Sequence, residues 1–368
     1  MKPSVIQFLT HSAISSSMIF IPVLARELGA SDFEIGIIGG VYGFTMFFSF
    51  YVFGRMSDVY NRKIFLLVGL LACAVSFPLQ ALAFSPFTLC MARGVVGFSL
   101  GIYPAALVSH VYESKRRLGR FTGFGSLGWA VGNFAAGIIM VYWEIFMLGS
   151  LFFFISFLIT LKMEMPKTGL KVSFFPANVI KKNLSVYLSF FLRHTGANAI
   201  WIIFPLYMVS LGASKLWVGA LYFINTFTQF LVMQKIDRFK SPNLVITGLI
   251  LSAFTFLSFT LAPNFYWLIP TQILLGFSWS CLYVGSLKFV MEKNIEKATS
   301  SGLLNSTISL SAIIGPIMGG ALSLYYGYKS TMYFGIVLTI IGLIYFLSIL
   351  RNSQSEFLKS YGIFRENS

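Results

Sequence analysis

The chain has 368 residues, 57% of them hydrophobic and 11% charged, with a formal net charge of +15. Ordinary soluble domains carry roughly 25% charged residues, so this composition excludes a water-soluble globular protein and calls for hydrocarbon around most of the surface.

Apolar runs recur along the whole length, each close to the roughly 20 residues that cross a hydrocarbon core of about 30 Å as a helix. In chain order the pattern predicts twelve spans: 5–28, 34–54, 64–84, 86–111, 121–142, 145–162, 184–211, 216–235, 243–261, 265–289, 299–325 and 330–350. Transmembrane strands would alternate in polarity over about ten residues, and stretches such as 148–161 do not alternate. The first run is too long for the apolar core of a secretory signal, so it is read as a retained helix.

The positive charge is distributed rather than clustered. With a cytoplasmic amino terminus, only Arg26, Lys215 and Lys329 of the 27 Lys and Arg fall on the far side, and Arg93 and Arg193 lie within spans. All the others, including Lys115, Arg116, Arg117, Arg120, Lys162, Lys167, Lys171, Lys181 and Lys182, fall on the cytoplasmic side. This is the positive-inside pattern rather than a nucleic-acid surface. It predicts a multi-pass protein of the cell (plasma) membrane with both termini cytoplasmic. Cys73, Cys90 and Cys281 sit in apolar spans as small core residues, so no disulfide, metal site or cofactor is expected.

An internal duplication organises the chain. Phe8-Leu9-Thr10-His11-Ser12, Pro22 and Leu28-Gly29-Ala30-Ser31 recur 183 residues later as Phe191-Leu192-Arg193-His194-Thr195, Pro205 and Leu211-Gly212-Ala213-Ser214. Gly36 and Gly219 keep that interval. Further on the interval becomes 179, pairing Asp58 with Asp237, Gly97-Phe98-Ser99 with Gly276-Phe277-Ser278, and Gly123 with Gly302. Six helices per half return the chain to its starting side, so the halves run parallel about an axis along the membrane normal. The expected fold is all-α and integral to the membrane, with twelve transmembrane helices in two pseudo-symmetric six-helix bundles. Its parts are a first bundle (1–163), a cytoplasmic linker (164–183), a second bundle (184–350) and a cytoplasmic tail (351–368). The linker carries Pro166, Gly169 and Pro176, and its Phe174, Phe175, Val179 and Ile180 are expected to rest on the bilayer surface.

After the second span the chain reads Gly54-Arg55-Met56-Ser57-Asp58-Val59-Tyr60-Asn61-Arg62-Lys63. Together with the duplication, this resembles the loop motif of the major facilitator superfamily, matching at Gly54, Asp58, Arg62 and Lys63. Val59 and Asn61 depart from it, and the second half keeps only Asp237 and Arg238. Arg93-Gly94-Val95-Val96-Gly97 resembles the family's fourth-helix signature, with Gln272 at the equivalent place in the tenth. Gly128, Gly132 and Gly137 in helix 5, and Gly315-Pro316 with Gly319-Gly320 in helix 11, are similar to its antiporter motif, an efflux type in degraded form. Small residues there let helix backbones approach closely. The resemblance implies solute transport by rocking of two bundles about a central site. It also implies that Asp58, Arg62, Lys63, Asp237 and Arg238 gate the cytoplasmic side.

In such a family helices 1, 4, 7 and 10 line the cavity. Charged groups within spans are costly and are functional candidates by default, which singles out Arg93 and Arg193. Gln7, His11 and Ser15 share one face of helix 1; His194, Asn198 and Trp201 share one of helix 7; Gln272, Gly276, Trp279 and Tyr283 share one of helix 10. Tyr222, Asn225 and Gln229 form a similar stripe on helix 8. His11 and His194 occupy matching places and are expected to face each other, whereas His110 is read as structural. The same polar groups would also serve as hydrogen-bonding glue between helices. All twelve Asp and Glu lie in loops or near span ends, so a cavity of Arg and His without an acid favours a neutral or anionic organic solute. The partners expected are that solute, the bilayer and a coupling proton, for a monomer. An enzyme is disfavoured because His11, His110 and His194 are scattered and no metal-site motif occurs. Export is favoured on the helix 5 motif, with an uptake facilitator, or a receptor or scaffold of the same fold, as the alternatives.

Overall fold

In a computed structural model of the chain, residues 2–30, 32–166 and 169–360 are described, and the side chains of 32, 33, 215 and 352–360 are not. Ser31 and Lys167, invoked above, and the last eight residues of the expected tail lie outside the described residues. Every regular element among those described is helical. The first half comprises α1 (Lys2–Met18), α2 (Ile21–Glu27), α3 (Asp32–Val59), α4 (Arg62–Leu79), α5 (Pro86–Leu100), α6 (Pro104–Glu113), α7 (Leu118–Ile139) and α8 (Tyr142–Leu161). After the linker come α9 (Ala177–Trp201), α10 (Phe204–Ser210), α11 (Lys215–Met233), α12 (Ser241–Thr260), α13 (Leu268–Lys293), α14 (Lys297–Tyr326) and α15 (Tyr328–Ser360).

Three of the predicted spans are broken in two, and proline explains each break. Pro22, Pro104 and Pro205 stand in the first turn of α2, α6 and α10, where a missing N–H costs nothing but the preceding helix cannot continue. Pro22 and Pro205 are repeat-equivalent, so the duplication extends to the break itself. Gly29 and Gly212, which follow α2 and α10, both have φ +90°, a left-handed conformation that favours glycine.

Among the described residues ten helices are long and apolar enough to cross a bilayer, counting the broken pairs before the linker as one each. The predicted spans outside that number are α7, diluted by glycine, and the α9–α10 pair, whose α9 carries Lys181, Lys182, Asn183 and Arg193. Large apolar side chains such as Phe44, Val75, Phe134, Ile138, Phe254 and Ile344 are exposed on the flanks, as lipid-facing residues must be.

Two helices run beyond the predicted spans. α9 begins at Ala177, inside the expected linker, because Pro176 ends the extended stretch and Asn183 is buried, bonded to the Val179 carbonyl and to Asn294. Val179 is correspondingly buried rather than at the surface, while Phe174 and Phe175 are exposed. At the other end α15 continues to Ser360, past the expected start of the tail. The remaining linker straps the end of α3: Arg55 Nε donates to the carbonyls of Val172 and Ser173, and Leu170 N–H to that of Asp58.

Within the first half α1 packs on α7 and α8, α3 on α5, and α4 on α5 and α8. In the second, α9 packs on α14 and α15, α12 on α13 and α15, and α11 on α13. Between the halves the main contacts are α3 with α14 and α7 with α11.

Candidate functional site

The α3–α14 contact is tightest at the end that carries the basic loops. There Asp58 is fully buried in the last turn of α3, and its carboxylate accepts from Ala298 N–H (3.2 Å), Thr299 N–H (2.7 Å) and the Thr299 hydroxyl (2.8 Å). Those are orphaned donors of the first turn of α14, where the helix dipole places partial positive charge. Arg62, also buried, pairs with Asp58 at 2.7 Å and reaches Glu113 at the end of α6. Close approach requires glycine one turn away. A Cβ on Gly54 would lie 2.9 Å from Gly302 Cα, and one on Gly302 would lie 2.7 Å from the Phe50 carbonyl oxygen.

The second half builds the same junction in the opposite sense. Asp237 accepts from Gly119 N–H (2.8 Å) and Arg120 N–H (3.3 Å) in the first turn of α7. Glu292 accepts from Ser241, so Ser241 and Glu292 stand in the places of Arg62 and Glu113, each pair 51 residues apart. Each acid therefore caps a helix of the other half. Lys63 and Arg238, expected beside them, do not join: Lys63 Nζ donates to the Leu161 carbonyl, and Arg238 lies over the Phe239 ring.

Away from this end the halves diverge. A Cβ on Gly43 would still meet Ile313 at 3.2 Å, but on Gly36, Gly39 or Gly40 of α3, Gly219 of α11 or Gly320 of α14 it meets none of the described residues within 4 Å.

Between the two ends lie two polar clusters. Gln7 Nε2 and His11 Nε2 are 2.8 Å apart on α1, and His11 fits only because residue 125 of α7 is glycine, whose Cβ would be 2.8 Å from His11 Nδ1. Beside Gly125, Ser126 donates to Gln229, which donates to Asn225, tying α7 to α11. The other cluster lies on α9 and α13. His194 stacks on Trp279 (5.2 Å) and Trp279 on Tyr283 (5.2 Å, 7°). Below them Arg193 is buried, bonded to Ser252 at 2.8 Å, with its guanidinium 5.7 Å from the Trp279 ring. His11 and His194 thus pack each within its own half.

The remaining candidates scatter. Arg93 is buried, bonded to Gln80 at 3.0 Å with its guanidinium 3.9 Å above the Tyr42 ring, apart from both clusters. Gln272, its repeat-equivalent, is buried with neither amide atom hydrogen-bonded. Asn198 bonds Ser311, and Trp201 packs on Phe204 and Phe259.

The helix 5 and helix 11 glycines are intimate packing contacts within each half. A Cβ on Gly132 would lie 2.1 Å from Ser15 Oγ, and one on Gly319 would lie 2.2 Å from the Ala199 carbonyl oxygen. Gly137 and Gly320 face open space, so that part of the motif serves no contact here.

The sequence matches the profile of the Major Facilitator Superfamily over residues 4–184 and 186–362. The chain belongs to the Major Facilitator Superfamily. This superfamily member is accordingly a multi-pass membrane transporter of small-molecule solutes, not an enzyme. It is 24% identical to Multidrug resistance protein MdtG of Proteus mirabilis over 95% of each chain. It is 25% identical to the uncharacterized MFS-type transporter MJ1560 of Methanocaldococcus jannaschii, over 89% of this chain and 92% of that one. The crystal structure of the human organic anion transporter MFSD10 (TETRAN) shares the fold, with a TM-score of 0.79 over 94% of this chain and 98% of that one at 15% identity.

For this superfamily member, sequence reasoning missed Glu113, Thr299 and the partners of the buried arginines, Gln80, Tyr42 and Ser252. The 179-residue interval that links Asp58 to Asp237 also links Arg62 to Ser241 and Glu113 to Glu292, and could have found the acids. Nothing in the spacing points to the others, which meet their partners only through packing.

Proposed function

We propose that the chain is a secondary transporter that exports a small neutral or anionic organic solute by alternating access. In this reading its twelve spans form two bundles, 1–163 and 184–350, related by a pseudo-two-fold axis. The chain acts as a monomer in the plasma membrane, with both termini, the linker and the basic end in the cytoplasm. The observation that carries the reading is the reciprocal capping: Asp58 on the start of α14 and Asp237 on the start of α7 join the halves at one end, while the α3 and α11 glycines at the other end face open space. Such contacts are made in one state and lost in the other, as a two-state carrier needs.

His194, Trp279 and Tyr283 supply an aromatic face for a ring-bearing solute, with Arg193 behind it as a fixed positive charge. Gln272 offers an amide with both its donor and acceptor free. His11, within reach of Gln7, and His194 are the groups that would carry a coupling proton, since Arg retains its own. Arg93 holds a packing position over Tyr42 and acts on the site through α5. Export is supported by the full-length similarity to a protein named for multidrug resistance.

The test is a library of ring-bearing neutral and anionic solutes screened for thermal stabilisation of the purified protein, followed by flux of each stabilising compound in proteoliposomes. Flux of at least one stabilising compound, with its binding weakened about tenfold by Trp279→Ala, is the expected result. Tight binding without flux would make the protein a receptor or scaffold instead.

A further inference from the structure

Beside the Asp237 junction lies a cavity of about 530 Å³ whose wall comes from both halves of the chain. Lys115, Arg116 and Arg117, in the turn between α6 and α7, line one side. Lys288 of α13 and Lys297, the first residue of α14, line the other.

The cavity's two carboxylates are already engaged. Glu113 pairs with Arg62, and Asp237 accepts the Gly119 and Arg120 N–H groups. Lys288 Nζ is held by the carbonyls of Asp237 and Phe239, and Lys297 Nζ by those of Met291 and Asn294. Those neutral acceptors fix the ammonium groups in place without cancelling their charge. The opposite wall is also fixed, because Lys115 is in left-handed backbone (φ 50°), a costly conformation for a side chain other than glycine, pinned by its N–H to the Tyr112 carbonyl.

We propose that this cavity binds a phosphate-bearing polyanion and that the bound anion staples the two halves together at the basic end. Tetrahedral phosphate oxygens accept from several cations at once, the Arg fork in bidentate fashion and Lys as a point charge. Two or more phosphate charges match the excess of cations over the acids that line the wall. Because Lys288 and Lys297 move with one half and Lys115, Arg116 and Arg117 with the other, the site is complete only while the basic end is closed. Linkage then requires the ligand to hold that state. Binding stands independently of the transport reading, whereas the effect on flux rests on it. The phosphate could be soluble or could be a lipid headgroup.

The experiment titrates the protein in neutral detergent with inorganic pyrophosphate at ionic strength fixed with chloride. It is repeated in nanodiscs with and without cardiolipin, whose headgroup carries two phosphates. The parent is compared with an Arg116→Gln/Arg117→Gln double variant, and alkylation of Ser306→Cys, at the α3–α14 contact, reports opening of the basic end. Saturable pyrophosphate binding that slows alkylation, and is weakened at least tenfold in the double variant, is the expected result. The same pattern with cardiolipin alone assigns the site to lipid phosphate and equally supports it. Neither probe binding, or both binding the double variant as well as the parent, overturns the site. Binding without slower alkylation overturns the staple. Intact binding in a protein that moves no solute would count against the transport reading alone.

Discussion

Replacing Asp58 by Asn removes a buried charge whose contacts divide between those that persist through a transport cycle and those that do not. The pair with Arg62 joins α3 to α4 within one half, so it is present in both states. The three bonds from Ala298 and Thr299 reach α14 in the other half and exist only while the basic end is closed. Hydrogen bonds to a charged acceptor are worth about 1.5–3 kcal/mol, against about 0.5–1.5 for neutral ones. The amide oxygen can keep the two Thr299 bonds at neutral strength, a loss of about 2–3 kcal/mol specific to the closed form, and the longer bond from Ala298 adds to it, so this is a lower limit. At about 1.4 kcal/mol per tenfold, the balance shifts about 30- to 150-fold towards the form open at the basic end. Ser306, buried on α14 with its hydroxyl donating to the Phe47 carbonyl of α3, reports it: in a Ser306→Cys background a membrane-impermeant maleimide applied from the basic side should react faster by that factor. Flux should fall while folded protein is retained. Unchanged alkylation together with normal flux would refute a gating role for Asp58.

Asp237 makes two cross-half bonds where Asp58 makes three, so Asp237→Asn should accelerate the same alkylation by a smaller factor, about tenfold. Gly132→Val places a side chain into Ser15 Oγ and the Ser12 carbonyl, separating α1 from α7, and should cost about 3 kcal/mol or more, read as a lower yield and midpoint of thermal unfolding. His11→Gln and His194→Gln keep some hydrogen bonding, and at least one should flatten initial flux against external pH in proteoliposomes. If both retain the parent profile, the histidines are packing residues and the carrier is a facilitator or is coupled through another ion.

The helical architecture was legible because membrane physics leaves few options: apolar runs of the right length, and charge biased to one side. The repeat went further, pairing Asp58 with Asp237 and Pro22 with Pro205, although the helix breaks before those prolines were not expected. The break before Pro104 has no partner, because Tyr283 occupies the repeat-equivalent position in an unbroken α13. The helix start inside the linker was not legible because Lys181 and Lys182 read as a loop, although they ride on a helix whose Asn183 is buried. Arg93 and Arg193 looked alike in sequence, and packing separates them. One rests on Tyr42 and Gln80, the other lies under the His194–Trp279–Tyr283 stack, and no spacing rule distinguishes those surroundings.

Alternating access is tested most directly by measuring both ends of one molecule. Spin-label pairs at Ile64→Cys with Ile295→Cys, exposed at the basic end on opposite halves, and at Gly36→Cys with Gly219→Cys, at the open end, give the two distances in proteoliposomes. The account predicts opposed changes on adding Asp58→Asn, with the basic-end distance lengthening as the other shortens. Two distances that stay fixed, or that lengthen together, would contradict it.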